Sequence, residues 1–106
     1  MSLPAGTVGL ITGTGLYDLP DLAERRALEV TTEHGTVEVA TGRWGDVAIA
    51  HLPRHGRGHA RLSHQVAARA NVAALAQLGV VALVSTTVCG AVDPTLALGE
   101  LIVFDD

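Results

Sequence analysis

Aromatic side chains are nearly missing from this sequence: Tyr17, Trp44 and Phe104 are the only three in 106 residues. A surface that stacks successive bases needs more of them, so a nucleic-acid partner is not expected. The charge balance argues the same way. Seven Lys and Arg stand against eleven Asp and Glu, for a formal net charge of -4, whereas neutralising a phosphodiester backbone takes a basic excess. A single cysteine, Cys89, excludes an intramolecular disulfide framework and fits a reducing compartment. The start, Met1 to Gly6, lacks the basic and then apolar segments of a signal peptide. The longest apolar run, Val80 to Val84, is far too short to span a bilayer. A cytoplasmic protein without a membrane partner is therefore expected.

What remains is apolar and locally cationic. Hydrophobic residues make up 48% of the chain, enough for the core of one small domain covering residues 1–106. Arg54, Arg57 and Arg61 are packed into a short stretch of an otherwise acidic chain, a distribution that favours a small anionic ligand over a polymer. They fall in or beside Pro53-Arg54-His55-Gly56-Arg57-Gly58-His59, which directly follows the apolar run from Val47 to Leu52. Glycine lets the backbone approach a ligand closely, and the arginine fork suits phosphate oxygens. Such a loop at a strand end reads as an oxyanion site.

The run from Val8 to Thr12, ending in Gly13-Thr14-Gly15, reads as a buried strand and a tight loop. Residues from Tyr17 to Arg26, with Pro20 among them, read as a loop with a short helical turn. Strands are expected from Ala27 to Thr32, from Val37 to Arg43 and from Val47 to Leu52, with turns at Glu33-His34-Gly35-Thr36 and Gly45-Asp46. A helix capped by Ser63 should run to about Leu78, its stripe of Val66, Ala70, Ala73 and Ala74 lying close to a sheet, with Gly79 as C-terminal cap. Strands should follow from Val80 to Thr87 and from Leu98 to Phe104. The sum is an α/β domain with a mixed β-sheet and flanking helices. A natural domain seldom stops on a core strand without a covering element, so the end at Asp105-Asp106 suggests the N-terminal portion of a longer protein.

Four motifs in this order resemble the methylthioadenosine phosphorylase and purine nucleoside phosphorylase family: Gly9 to Leu16, Leu52 to His59, Arg69-Ala70-Asn71, and Thr86-Thr87-Val88-Cys89-Gly90. The resemblance covers essentially the whole chain but less than half of a typical member. It implies the N-terminal part of the nucleoside phosphorylase fold in a cytosolic, usually homotrimeric enzyme. Such an enzyme splits a purine nucleoside with inorganic phosphate into free base and ribose 1-phosphate, or its 5-methylthio form. The most favoured substrate is 5'-methylthioadenosine; methylthioinosine, inosine and guanosine stay open. The phosphate-site residues it implies are Thr14, Arg54, His55, Thr87 and the N–H of Val88, with His59 near the substrate. Phosphate is then a co-substrate, and no cofactor is implied. The family often has a proline before His64 and an Asn-Tyr pair before Arg69, where this chain has Ser63 and Ala67-Ala68; these departures bear on packing or subunit contact rather than on phosphate. The family's purine-binding segment and its proton-assisting carboxylate lie beyond the matched part, so no catalytic residue is assigned and the chain alone is expected to be inactive.

Two other chemistries are disfavoured. The spacing of His51, His55, His59 and His64 resembles a helical metal stripe, but Pro53, Gly56 and Gly58 break any such helix. Gly13-Thr14-Gly15 after a strand resembles a dinucleotide loop, yet the third glycine position holds Asp18, whose carboxylate would oppose a pyrophosphate. Cys89 reads as a small buried residue rather than a nucleophile.

Overall fold

The computed structural model describes residues 3–13, 15–56 and 66–105. Runs that are apolar without alternation become the middle of the sheet, where both faces are covered. They are β1 (Val8–Thr12) and β4 (Val47–Pro53). β2 (Ala23–Thr32), β3 (Gly35–Trp44) and β4 form an antiparallel meander, and β1 then runs parallel to β4 on one side and to β5 (Ala82–Ser85) on the other. The sheet is five-stranded in the order β2-β3-β4-β1-β5. With the helix that crosses between β4 and β5 it makes the expected mixed α/β fold.

That helix, α1 (Ala68–Gln77), packs its small residues onto the sheet. Ala70 and Ala74 are almost fully buried. Their lack of bulk brings Leu75 and Leu78 down onto Ile11, Val30, Val39, Ala50 and Leu52. Ala67 occupies the N-cap with no side-chain cap bond and Val66 precedes the helix, so α1 starts later than the expected Ser63 cap would place it; Ser63 itself lies outside the described residues. The C-terminus matches expectation. Gly79 has φ 81°, its N–H bonds to the Ala76 carbonyl at 3.0 Å, and the Val80 N–H bonds to the Leu75 carbonyl at 3.3 Å. These are the two bonds of a Schellman motif, which needs a left-handed residue and so favours glycine.

Three sequence expectations are corrected. No helical turn forms between Tyr17 and Arg26; instead β2 already begins at Ala23, with a register shift between Ala23 and Arg26 against β3. The reach of β3, whose Arg43 pairs with Ala23, sets this start rather than any pattern in the segment itself. An ion pair between Arg25 and Asp18 at 2.6 Å and a bond from Trp44 Nε1 to the Pro20 carbonyl hold the preceding loop in place. The strand expected from Val80 to Thr87 shortens to Ala82–Ser85, because its ladder with β1 extends only from Val8↔Ala82 to Ile11↔Ser85. Leu98 to Phe104 forms no strand. Its residues pair with no neighbour in the described sheet and are exposed, Leu98, Leu101 and Phe104 strongly so. Without a partner ladder an apolar run gains no strand hydrogen bonds. No helix of the described residues is long and apolar enough to cross a membrane.

Candidate functional site

Thr12, Pro53 and Ser85 end three neighbouring parallel strands, so the loops that follow them leave from one edge of the sheet. The carboxyl edge of parallel strands is where ligands bind in open α/β sheets. Each outer ladder continues one residue into its loop: the Arg54 N–H bonds to the Thr12 carbonyl at 2.8 Å, and the Thr86 N–H to the Ile11 carbonyl at 2.9 Å. Backbone pairing therefore fixes where the arginine and the threonines begin.

Arg54 then bridges the middle strand. Its Nη1 donates to the Thr86 carbonyl at 3.0 Å and its Nη2 to Thr87 Oγ1 at 3.2 Å. The loop after β4 is thus tied to the loop after β5 across the top of β1. Gly13 makes the bridge possible. A Cβ at this position would stand 2.8 Å from Arg54 Nη2, 3.0 Å from the Thr86 carbonyl oxygen and 3.2 Å from Thr87 Cα. A side chain here would displace the guanidinium and press the backbone after β5 aside by a few tenths of an ångström. Of the five N–H groups of an arginine, one on each terminal nitrogen is committed to this frame. Thr87 Oγ1 accepts from Arg54, so its own proton is left to donate.

The Gly56 N–H bonds back to the Pro53 carbonyl at 3.0 Å, which places Arg54 and His55 at the centre of a tight turn. His55 is buried, and Val88 follows Thr87 on an exposed loop. The structure therefore joins Arg54 directly to Thr87 and sets His55 and Val88 beside them in sequence. Thr14 and His59, with Arg57, Arg61 and His64, lie outside the described residues. Cys89 is exposed, not buried as expected.

In the sequence His51 stands out only as part of a histidine spacing; the structure gives it a partner. His51 is 1% exposed and its Nε2 lies 2.8 Å from Thr12 Oγ1. The Thr12 hydroxyl in turn donates to the Leu16 carbonyl at 2.5 Å. A signal was present: one histidine inside the otherwise apolar run of β4. Beside it opens a cavity of about 270 Å³, bordered by Tyr17, Asp18, Arg25, Glu38, His51 and Arg54. Burial, and secondly the Arg25 cation, lower the His51 pKa from 6.5 to about 4, against a smaller opposing pull from Asp18.

This shift has a sign that can be checked. The unfolded chain takes up a proton on His51 near pH 6.5 that the folded chain refuses until about pH 4. Its contribution is therefore a loss of stability as pH falls through that window. By linkage, His51 is expected to remove about 2 kcal/mol of stability between pH 7 and pH 5. Urea unfolding of the chain and of a His51→Leu variant at the two pH values measures it; equal slopes in both would assign the loss elsewhere.

The model of the Phosphorylase superfamily matches residues 7–106. The 6-oxopurine nucleoside phosphorylase of Pyrococcus furiosus is 35% identical over 98 residues, 92% of this chain and 37% of that protein. The S-methyl-5'-thioadenosine phosphorylase of Cereibacter sphaeroides is 40% identical over 100 residues, 92% of this chain and 34% of that protein. Among solved structures, a ligand-free variant of adenosine/methylthioadenosine phosphorylase from Schistosoma mansoni superposes with a TM-score of 0.78 at 40% identity, covering 86% of this chain and 32% of its own. The chain spans about a third of the length of these relatives.

Proposed function

The chain belongs to the Phosphorylase superfamily, and from that membership we propose that it is the phosphate-holding part of an enzyme that cleaves purine nucleosides with inorganic phosphate. The observation that carries this reading is the Arg54 bridge over Gly13 to Thr86 and Thr87. It joins the arginine and the Thr87 hydroxyl at the carboxyl edge of the parallel strands. Thr14, His55, the Val88 N–H and, nearer the sugar, His59 complete the proposed set.

The chemistry needs such a frame. Glycosidic cleavage passes through an oxocarbenium-like transition state. A phosphate dianion held beneath the sugar stabilises that cation and then bonds to its anomeric carbon as the C–N bond breaks. The base departs with the bonding electrons and gains a proton. Phosphate is already anionic, so the segment's task is to bind and aim it through preorganised donors. No cofactor enters this scheme. The preferred substrate is 5'-methylthioadenosine. Inosine and guanosine form the second reading, favoured by the comparable identity to a 6-oxopurine nucleoside phosphorylase. In this reading the enzyme is a cytoplasmic homotrimer at its relatives' length, and the purine contacts come from outside these residues.

The test is release of free base, followed with and without phosphate, from methylthioadenosine and from inosine. The 106-residue chain is expected to release none. A protein of the relatives' length carrying this segment is expected to release adenine only with phosphate. Hypoxanthine release in preference to adenine would shift the substrate to the second reading, and release independent of phosphate would refute the proposal.

A further inference from the structure

We propose that His51 is a positioning residue for the anion loop, holding the turn after β1 through the hydroxyl of Thr12. The kinetic part of its test rests on the phosphorylase reading; the structural part does not.

The hydrogen-bond directions follow from the atoms. The Leu16 carbonyl can only accept, so the Thr12 hydroxyl proton points at it. Thr12 Oγ1 then has only lone pairs to offer His51 Nε2 at 2.8 Å. His51 must therefore carry its proton on Nε2 and donate, which leaves Nδ1 as a bare acceptor. Nδ1 is buried and without a hydrogen-bond partner among the described residues, as a neutral ring in this tautomer requires if no donor faces it. The alternative tautomer would set two lone pairs against each other at Thr12 and bury an unpaired N–H.

The chain His51 to Thr12 to Leu16 fixes what the backbone holds only weakly. The turn from Gly13 to Leu16 is closed by a Leu16 N–H to Gly13 carbonyl bond of 3.4 Å, long for a backbone hydrogen bond. The shorter contact from Thr12 latches the far end of the turn to the strand end. His51 orients that latch from β4, which also delivers Arg54 three residues on. One strand thus sets both the arginine and the loop facing it. Thr12 is fully buried and His51 nearly so, and both act on a bound anion only through the loop.

The experiment has two arms. In the first, the long-range proton–nitrogen NMR spectrum of 15N-histidine protein at pH 7 reports the tautomer. The Nε2–H form is expected, and the Nδ1–H form would overturn the proposal. Hydrogen exchange at the Leu16 amide is expected to quicken in His51→Leu and to recover in His51→Gln, which restores an N–H donor of similar reach. In the second arm, initial rates are measured for the protein of the relatives' length. His51→Leu and Thr12→Val should each raise the phosphate KM about tenfold, the effect of one lost oriented hydrogen bond. The nucleoside KM should stay within about twofold, since neither residue acts on the nucleoside. The double variant should be no worse than either single one, because both changes break one chain of bonds. Equal rises in both KM values, additive losses, or no recovery with glutamine would overturn the positioning role. If the unmodified protein shows no phosphorolysis, the phosphorylase reading fails, and the tautomer and Leu16 exchange still decide the role of His51.

Discussion

Gly13→Ala is expected to destroy the proposed phosphate site while leaving most of the sheet intact. The added methyl meets three obstacles at once: Arg54 Nη2 at 2.8 Å, the Thr86 carbonyl at 3.0 Å and Thr87 Cα at 3.2 Å. Two of these belong to the backbone of the segment that follows β5 and cannot swing aside as a side chain can. The guanidinium can move, but only by giving up its bonds to Thr86 and Thr87. Overpacking of this kind costs about 1–3 kcal/mol, and here the least rigid obstacle is the residue assigned to the anion. In the enzyme of the relatives' length, kcat/KM for phosphate should fall by about 100-fold or more, the scale of losing a preorganised oxyanion donor. Circular dichroism should report little change in strand content. Steady-state kinetics with phosphate as the varied substrate, combined with urea unfolding, separates the two effects. An alanine variant with an unaltered phosphate KM would show that the Arg54 bridge does not shape the site.

Arg54→Ala should act on the same site from the opposite direction, by removing charge instead of inserting bulk. The side chain holds the loops after β4 and β5 together and, in the proposed reaction, also grips the nucleophile. Its removal is expected to raise the phosphate KM and to lower kcat. The combined loss in kcat/KM should be about 100- to 1,000-fold, as found for removal of a preorganised donor at a developing charge. Nucleoside affinity measured without phosphate should change far less. Arg54→Lys should recover only a small part. A single ammonium cannot reproduce two forked bonds to Thr86 and Thr87 and still present a flat donor edge to an anion. Equal loss of nucleoside affinity, with the phosphate dependence unchanged, would count against the assignment.

Much of this fold was legible in the sequence wherever a segment's own pattern decides its structure. The apolar runs of β1 and β4, the alanine stripe of α1 and the glycine that ends it carry their signals locally. Segments whose structure depends on a partner were not legible. The first residues of β2 look like loop because Pro20 and several charges precede the alternating part; β3 alone makes them a strand. Leu98 to Phe104 has a strand-forming composition and no neighbouring strand in the described sheet.

The site divides in the same way. Arg54 and Thr87 were legible as residue types in a family-like order, and the bond between them was not. They are separated by 33 positions, and their meeting depends on β1 lying between β4 and β5. His51 was hidden for a related reason. A histidine within an apolar strand resembles an ordinary core residue until the parallel pairing of β1 and β4 sets Leu10 opposite it and Thr12 two residues further along, within reach of its Nε2. Cys89 misled in the opposite sense, since its exposure follows from the exposed loop that carries it.

The four residues of β5 are all exposed, and it forms the outer strand of the described sheet, yet Thr86 and Thr87 extend directly from it. On the proposed reading, anion binding at Arg54 is thermodynamically coupled to the pairing of β5 with β1. Opening that pairing would cost the arginine both anchors, and an anion held by the arginine would make the pairing harder to open. By linkage the two effects are equal in free energy, so ligand occupancy would be recorded as slower exchange in the backbone amides of β5.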